Sequence, residues 1–357
     1  MTGALFDVYL AVDWSARSAP SPPRPSPDSI WVAECDRGGL DADEIRTTYL
    51  RTRDDCHQWL RQRLIDHVAR GRRVLVGFDF PFGYPTGFAA ALGLGSAASQ
   101  KPSGQAGAHH HGPAPWRLIW DELDLLIEDA PDNSNNRFEV AAALNRCCAR
   151  DGRHDQHRTL DPGSPVTSPG PLWGCPRAAA GQWIQPTSPH YPYRARGLSL
   201  ARLRWAEQRV PGTQPTWKLM GIGSVGSQCL LGIPVVSRLR SDPQLRDVSS
   251  VWPFETCLTD SPAREGGAFV LHAEIWPGIV RVRSTAGGHE TAARWGSARK
   301  EQPEMIKDEA QVCAVVHWLR SADRSGGLGM LLAAPTRLPP DAHHDVVAEE
   351  GWILGGK

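Results

Sequence analysis

Neither charge is in surplus in this sequence: 39 lysines and arginines stand against 39 aspartates and glutamates. Net charge therefore gives no reason to expect a nucleic acid or a membrane surface as partner. Long hydrophobic runs are missing as well. None approaches the roughly 18 residues that a membrane-spanning helix requires. No CxxC pair occurs among the eight cysteines, at positions 35, 56, 147, 148, 175, 229, 257 and 313, so neither a zinc ribbon nor a thioredoxin-type pair is expected. Scattered cysteines fit reduced thiols in a cytoplasmic protein. The opening MTGALFDVYLAVDW lacks the basic region and small-residue cleavage site of a signal peptide, which agrees with that location. No GxSxG elbow and no HExxH appear, and Ser15 has no evident histidine partner, so serine hydrolysis and zinc proteolysis are poor readings. Internal repeats are absent. What remains is a globular composition, 41% hydrophobic, over 357 residues. That length holds about two domains, or one with a large insertion.

The clearest pattern lies in the first 85 residues. Residues 6–13, 29–34 and 45–51 read as strands, separated by a Pro/Ser-rich loop over 18–28. A helix follows from about residue 53, with Cys56, Trp59, Leu60, Leu64 and Val68 on one face and Gly71 as its stop. Residues 73–79 give a fourth strand. In this β-β-β-α-β order the first three strands form a meander, and the helical crossover returns the fourth strand parallel to the first, on its free side. The pattern then weakens. Residues 86–115 read as loop, 116–129 and 137–150 as helices, and 151–197 as an irregular surface excursion of the kind that forms lids. Strands are expected at 251–255 and 268–274 and a helix at 303–322, with Pro303 in its first turn.

Two aspartates stand out against this pattern. The hydrophobic run Val8–Val12 leads into Asp13, and Val74–Phe78 leads into Asp79. A carboxylate at the end of a core strand is costly to desolvate unless a cation offsets it. With the fourth strand beside the first, both acids come to the same end of adjacent strands, where they would suit a hard divalent metal. Glu274 ends a later strand, and the sequence leaves open whether it or Glu255 faces Asp13. Asp308 shares a helix face with Gln311, Val312, Val315 and Leu319 and so points toward the sheet. Four such carboxylates are what two-metal phosphodiester cleavage requires, with Mg²⁺ or Mn²⁺ as cofactor. The plainer alternative makes Asp13 and Asp79 turn or capping residues and Asp308 a first-turn residue favoured by the helix dipole.

A family resemblance covers most of the chain. The segments Val12-Asp13-Trp14-Ser15-Ala16, Gly77–Pro85 and Asn135–Ala142 resemble the domain of unknown function 429 group, predicted RNase H-like nucleases. So do Trp217-Lys218-Leu219 through Pro234, Trp252–Thr256, Ala273–Pro277 and Lys307–Val312, in the family's order. The resemblance implies an α/β fold with an RNase H-like mixed sheet and a large, partly helical insertion between the fourth and fifth core strands. The core would comprise residues 1–85 and 251–357, and the insertion 86–250. It also implies an acidic site at Asp13, Asp79, Glu274 and Asp308, serving as metal ligands and catalytic groups. Some relatives in that group carry names from molybdopterin or cobalamin biosynthesis. Actin-like sugar kinases share the core architecture but use a glycine-rich turn after the first aspartate; here Trp-Ser-Ala-Arg-Ser follows Asp13.

Weaker signals surround the acids. Gly221-Ile-Gly-Ser-Val-Gly226 matches the dinucleotide fingerprint, but Trp217–Met220 is too short for the strand that should precede it, and Gly232-Ile233-Pro234 would cut off the helix that should follow. A glycine turn that lets backbone approach a phosphate is the better functional reading, with Lys218 and Ser224 as contacts. Between Ser134 and Arg209 eleven arginines stand against five acids, interleaved with aromatic residues. Arg137, after Asn135-Asn136, opens a helix where amides and guanidinium could jointly hold an anion. His109-His110-His111 reads as an incidental surface run. The sequence therefore points first to a metal-dependent nuclease or phosphodiesterase acting on nucleic acid or a nucleotide. The alternative is a protein that keeps the fold and binds a nucleotide or pterin-like molecule, as an accessory in molybdopterin or cobalamin biosynthesis.

Overall fold

The computed structural model describes residues 4–38, 45–95, 112–149, 167–262, 266–280 and 305–357. Its centre is a six-stranded mixed sheet. Strands β1 (Val8–Asp13), β2 (Ile30–Asp36) and β3 (Arg46–Leu50) form an antiparallel meander. Helix α1 (Arg53–Ala69) then carries the chain to β4 (Arg73–Phe78), which pairs parallel with β1. Thr52 caps α1 by accepting a hydrogen bond from the Asp55 N–H, and Gly71, at φ +71°, takes the left-handed turn that releases the chain into β4. The expected crossover is therefore present, strand for strand.

Beyond β4 the chain makes the helices α2 (Phe88–Leu92), α3 (Pro115–Leu126) and α4 (Arg137–Ala149), a small hairpin of β5 (Tyr193–Ala195) and β6 (Leu198–Leu200), and helices α5 (Trp205–Arg209) and α6 (Gly226–Ser241). It then returns to the sheet as β7 (Ser249–Val251) and β8 (Phe269–Glu274), and α7 (Lys307–Arg324) follows. The order across the sheet is β3-β2-β1-β4-β8-β7, with β1, β4, β8 and β7 mutually parallel.

Strand alternation divides the core into two layers. Val8, Leu10, Val12, Val74, Val76 and Phe78 pack on the side carrying α1, α3, α4 and α6. Tyr9, Ala11, Leu75, Leu271 and Ala273 pack on the other side, where α7 contributes Val312, Val315 and Leu319. Asp323, near the end of α7, accepts the Leu5 and Phe6 N–H groups (2.8 and 2.9 Å) and the Tyr9 hydroxyl (2.6 Å). This clamp fastens one end of α7 to the start of β1 and leaves its other end, with Asp308, beside the end of β1.

Several sequence expectations are corrected. The helix after the glycine run is not cut off: α6 continues through Gly232 and Pro234. A Cβ at Gly232 would stand 2.4 Å from the Phe80 ring, so this glycine admits an aromatic against the helix instead of ending it. The expected strand 251–255 stops at Val251, because Pro253 has no N–H to continue a ladder. The loop expected at 86–115 contains α2, and the tail contains the short helices Leu328–Leu332 and Pro340–Asp345. The histidine run at 109–111, Pro303 and the first part of the 151–197 excursion lie outside the described residues. Among the described residues no helix is long and apolar enough to cross a membrane.

The turn after β4 is pinned by the chain's C-terminal segment. Glu349 accepts the Gly87 and Ala89 N–H groups, and Glu350 accepts the Thr86 N–H and hydroxyl. A Cβ at Gly83 would lie 2.2 Å from the Glu349 carbonyl oxygen and 2.5 Å from that of Glu350. Gly83→Ala should therefore destabilise the protein by about 2–3 kcal/mol, as overpacking against fixed backbone does. Chemical denaturation of the variant beside the wild type measures this, and a loss below about 0.5 kcal/mol would refute the close approach.

Candidate functional site

Asp13 is the last residue of β1, and Asp79 follows the last residue of β4. The Asp79 N–H donates to the Val12 carbonyl at 3.0 Å, so the parallel ladder runs one step past the strand and sets the two acids side by side. By strand alternation both project to the α7 side. Asp13 pairs in register with Trp31, whose ring belongs to that layer. The residues after each acid turn the other way: Trp14 and Phe80 pack ring on ring, with centroids 5.6 Å apart, under α6.

The pair lacks compensation. Among the described residues neither carboxylate has an ion-pair or hydrogen-bond partner. Burial raises the Asp13 carboxyl well above the usual carboxylate range, and the charges of Asp79, Asp308 and Asp28 add to the effect; Lys307 opposes it. Burial likewise raises Asp79, to about 7, helped by Glu274 and Asp308. Asp308, the second residue of α7, thus acts on both. Its Oδ2 accepts the backbone N–H of Asp28 at 2.7 Å, which fixes it against the loop leading into β2. Chemically this is a set of hard oxygen donors with unbalanced negative charge, which suits Mg²⁺ or Mn²⁺. The spacing is open: among the described residues no three histidine, cysteine, aspartate or glutamate side chains converge as a metal site requires.

Glu274 stands apart from this group, and register explains why. It pairs with Phe78, one residue short of Asp79, and alternation turns it to the opposite face of the sheet. The residue level with Asp79 on that strand is Ile275, whose N–H donates to the Phe78 carbonyl. Glu274 meets Arg204 in a two-pronged buried pair (Nη2–Oε1 2.6 Å, Nη1–Oε2 2.9 Å) and also accepts the Phe82 N–H at 3.0 Å. Arg204 further bonds Glu207 through Nε at 2.7 Å and the Glu350 carbonyl at 2.7 Å. The sequence-based role of Glu274 as a metal ligand is thus revised: its oxygens are committed to a guanidinium. Glu255 is likewise committed, to Arg240 (2.7 and 3.0 Å).

The expected phosphate contacts separate. Lys218 donates Nζ to the Ile222 carbonyl at 2.6 Å and lies 5.7 Å from the Trp173 ring centroid, so it closes the glycine loop on itself. Ser224 is held in the same turn by its N–H to the Gly221 carbonyl. The strand that a dinucleotide fold would place before this loop is a single bridge between Lys218 and Trp173, outside the main sheet. Arg137 is different. It reaches the loop after Asp13, with Nη1 donating to Ser18 Oγ at 2.9 Å.

Sequence reasoning missed what steadies that loop. Arg53 is fully buried. Its Nε and Nη2 hold Asp129 at 2.6 Å each, and Nη1 donates to the carbonyls of Ser15 (3.1 Å) and Arg17 (2.7 Å). Gln228, in the first turn of α6, donates to the Trp14 carbonyl at 2.5 Å. Helix periodicity had no way to find these residues, because each partner lies tens to hundreds of positions away.

Two outcomes follow. Arg204→Met leaves Glu207 and Glu274 buried without a cation and should cost about 3–5 kcal/mol in urea unfolding; an unchanged midpoint would contradict the pairing. For Asp79 the folded-state pKa, about 7, lies above that of a carboxylate in the unfolded chain, so over the interval between them the folded chain holds a proton that the unfolded chain has lost. That stability contribution is complete below about pH 4 and lost as pH rises through about 7. Wild type should therefore lose more melting temperature between pH 5 and pH 8 than the double variant D13N/D79N. At pH 8 the double variant should melt a few degrees higher than wild type. Parallel pH dependence in the two proteins would mean that the carboxylates are compensated.

Compared with protein-family models, characterised proteins and solved structures, the chain matches none of them.

Proposed function

We propose that the protein is a metal-dependent phosphodiester hydrolase of the nuclease type, built on an RNase H-like sheet. One observation carries this reading: Asp13 and Asp79 stand uncompensated at the same end of adjacent parallel strands, with Asp308 acting on both from α7. The antiparallel β1–β2–β3 meander and the parallel addition of β4 and β8 support it, as does the sequence resemblance to the domain of unknown function 429 group. Ligands also gather at the carboxyl ends of parallel strands in α/β sheets generally.

In this reading Asp13 and Asp79 would hold a hard divalent cation, Mg²⁺ or Mn²⁺, and Asp308 would complete the negative face. When bound, the ion supplies Lewis-acid polarisation of a phosphoryl oxygen and lowers the pKa of water. The chain's own residues do the rest. Trp14 and Phe80 fix the strand ends from beneath. Arg53 and Gln228 hold the Trp14–Arg17 backbone, so the floor of the site does not shift when charge binds. Arg204 keeps Glu274 engaged on the opposite face of the sheet. Asp28, through its N–H, orients Asp308.

A second reading has its own observation. Among the described residues no three histidine, cysteine, aspartate or glutamate side chains converge as a metal site requires, and a protein that binds a nucleotide or pterin-like molecule without cleaving it has no need of such a group. The two readings part on metal. Calorimetric titration of Mn²⁺ should show binding to wild type and loss of it in D13N and in D79N. Hydrolysis of bis(p-nitrophenyl) phosphate in Mn²⁺ should fall about 100-fold or more in either variant. Activity retained in both variants would sink the hydrolase assignment, and Mn²⁺ binding unchanged in both would remove the metal from the carboxylates.

A further inference from the structure

Arg137 is a half-buried arginine whose hydrogen-bond partners among the described residues are all neutral. Nε donates to Ser227 Oγ at 3.1 Å, and Nη1 donates to Ser18 Oγ at 2.9 Å and Asn135 Oδ1 at 2.8 Å. The Phe138 ring backs the guanidinium, 4.5 Å from its central carbon. Among the described residues no carboxylate pairs with it, whereas buried Arg53 and Arg204 each grip one at 2.6 Å. Nη2 has no protein acceptor there, and the Ser18 hydroxyl accepts from Arg137 while its own proton stays free for another acceptor.

The surroundings have the wrong sign for an unpaired cation. Ser227 lies in the first turn of α6, a 16-residue helix that starts without a side-chain cap, so the positive end of its dipole faces the same region. Arg53 adds a second positive charge. Burial, with Arg53 behind it, lowers the guanidinium to about 10; Asp129 and Glu139 oppose without pairing. An anion at this place would be bound by the free Nη2 edge and the Ser18 hydroxyl, and favoured by the helix end. Ser227 serves a different part. Its hydroxyl donates to the Leu219 carbonyl at 2.6 Å while accepting from Arg137 Nε, so it locks the guanidinium in position.

The cradle is tied to the acidic site but offset from it. Ser18 lies on the loop that leaves Asp13, and α6 grips that loop at Trp14. The largest charge effects on Asp13 come from Asp79, Asp308, Asp28 and Lys307. We propose that Arg137 and Ser18, with Ser227 as the positioning residue, form an oxyanion subsite that takes a non-reacting phosphate of the substrate, next to the one that the carboxylates address. Assigning that phosphate to the substrate rests on the hydrolase reading; anion binding itself does not.

The test uses the full chain without divalent metal at low ionic strength. Inorganic phosphate and, separately, a short single-stranded oligodeoxynucleotide are titrated calorimetrically into wild type, Arg137→Met and Ser227→Ala. Binding by wild type, weakened about tenfold or more in Arg137→Met and less in Ser227→Ala, is the expected result. Dependence on Arg137 for the oligonucleotide identifies a diester, and for phosphate alone a monoester or free phosphate; either supports the subsite. Equal affinities in wild type and Arg137→Met, or no binding of either ligand to wild type, overturn it. Should Arg137→Met fail to fold, Arg137→Lys replaces it, keeping the charge while losing the fork; undiminished affinity there overturns the guanidinium's role. Mn²⁺ titration of the same variants separates the two readings. Arg137-dependent phosphate binding in a protein that binds no Mn²⁺ keeps the subsite and removes the metal reading. Intact Mn²⁺ binding with Arg137-independent phosphate binding does the reverse.

Discussion

Two carboxylates held level at the ends of adjacent parallel strands, neither paired with a basic side chain among the described residues, are the constraint on which the rest of the molecule depends. The β1–β4 register creates it. The single hydrogen bond from the Asp79 N–H to the Val12 carbonyl extends that register past the strand end. Bringing like charges together in a poorly hydrated place is unfavourable, and both acids accordingly hold their protons more tightly than a carboxylate in water. A fold that maintains this arrangement sets aside stability that a bound cation would restore.

The surrounding architecture confines the cost to that spot. Among the described residues, other buried acids close by are matched. Glu274 and Glu207 share Arg204, Asp129 takes Arg53, and Asp323 receives three donors from the start of the chain. These pairs also set geometry. Asp323 anchors one end of α7 so that Asp308 arrives at the other, and Arg53 fixes the backbone of the loop that leaves Asp13. Arg137 departs from this rule in the opposite sense, as a cation that no carboxylate among the described residues pairs with. The same loop thus connects an excess of negative charge to an excess of positive charge. Such a surface suits a metal ion at one end and a phosphate at the other.

How far the sequence discloses this follows from where each signal resides. The four strands and helix of the first 85 residues carry period-2 and period-3.6 patterns within short windows, and from their order the pairing of β1 with β4, and so of Asp13 with Asp79, can be deduced. Glu274 ends its strand as Asp13 does but is in register with Phe78, on the other face of the sheet, and register between strands almost two hundred residues apart leaves no local trace. Its alternation was visible, but its partner was not. Arg204 lay within an arginine-rich stretch that gave no reason to prefer one member over another. Gly232 and Pro234 lie inside helix α6, where their usual meaning as breakers yields to the packing of Phe80 against the glycine. In each case a tertiary contact overrides a local rule.

Carbon-detected NMR titration of aspartate carboxyls, assigned through D13N and D79N, tests the central claim most directly. Without divalent metal, the signals lost in these variants should include a carboxyl titrating near pH 7, and Mg²⁺ should shift that titration to lower pH. Both carboxyls titrating near pH 4 without metal, or a titration that Mg²⁺ leaves unmoved, would contradict the account.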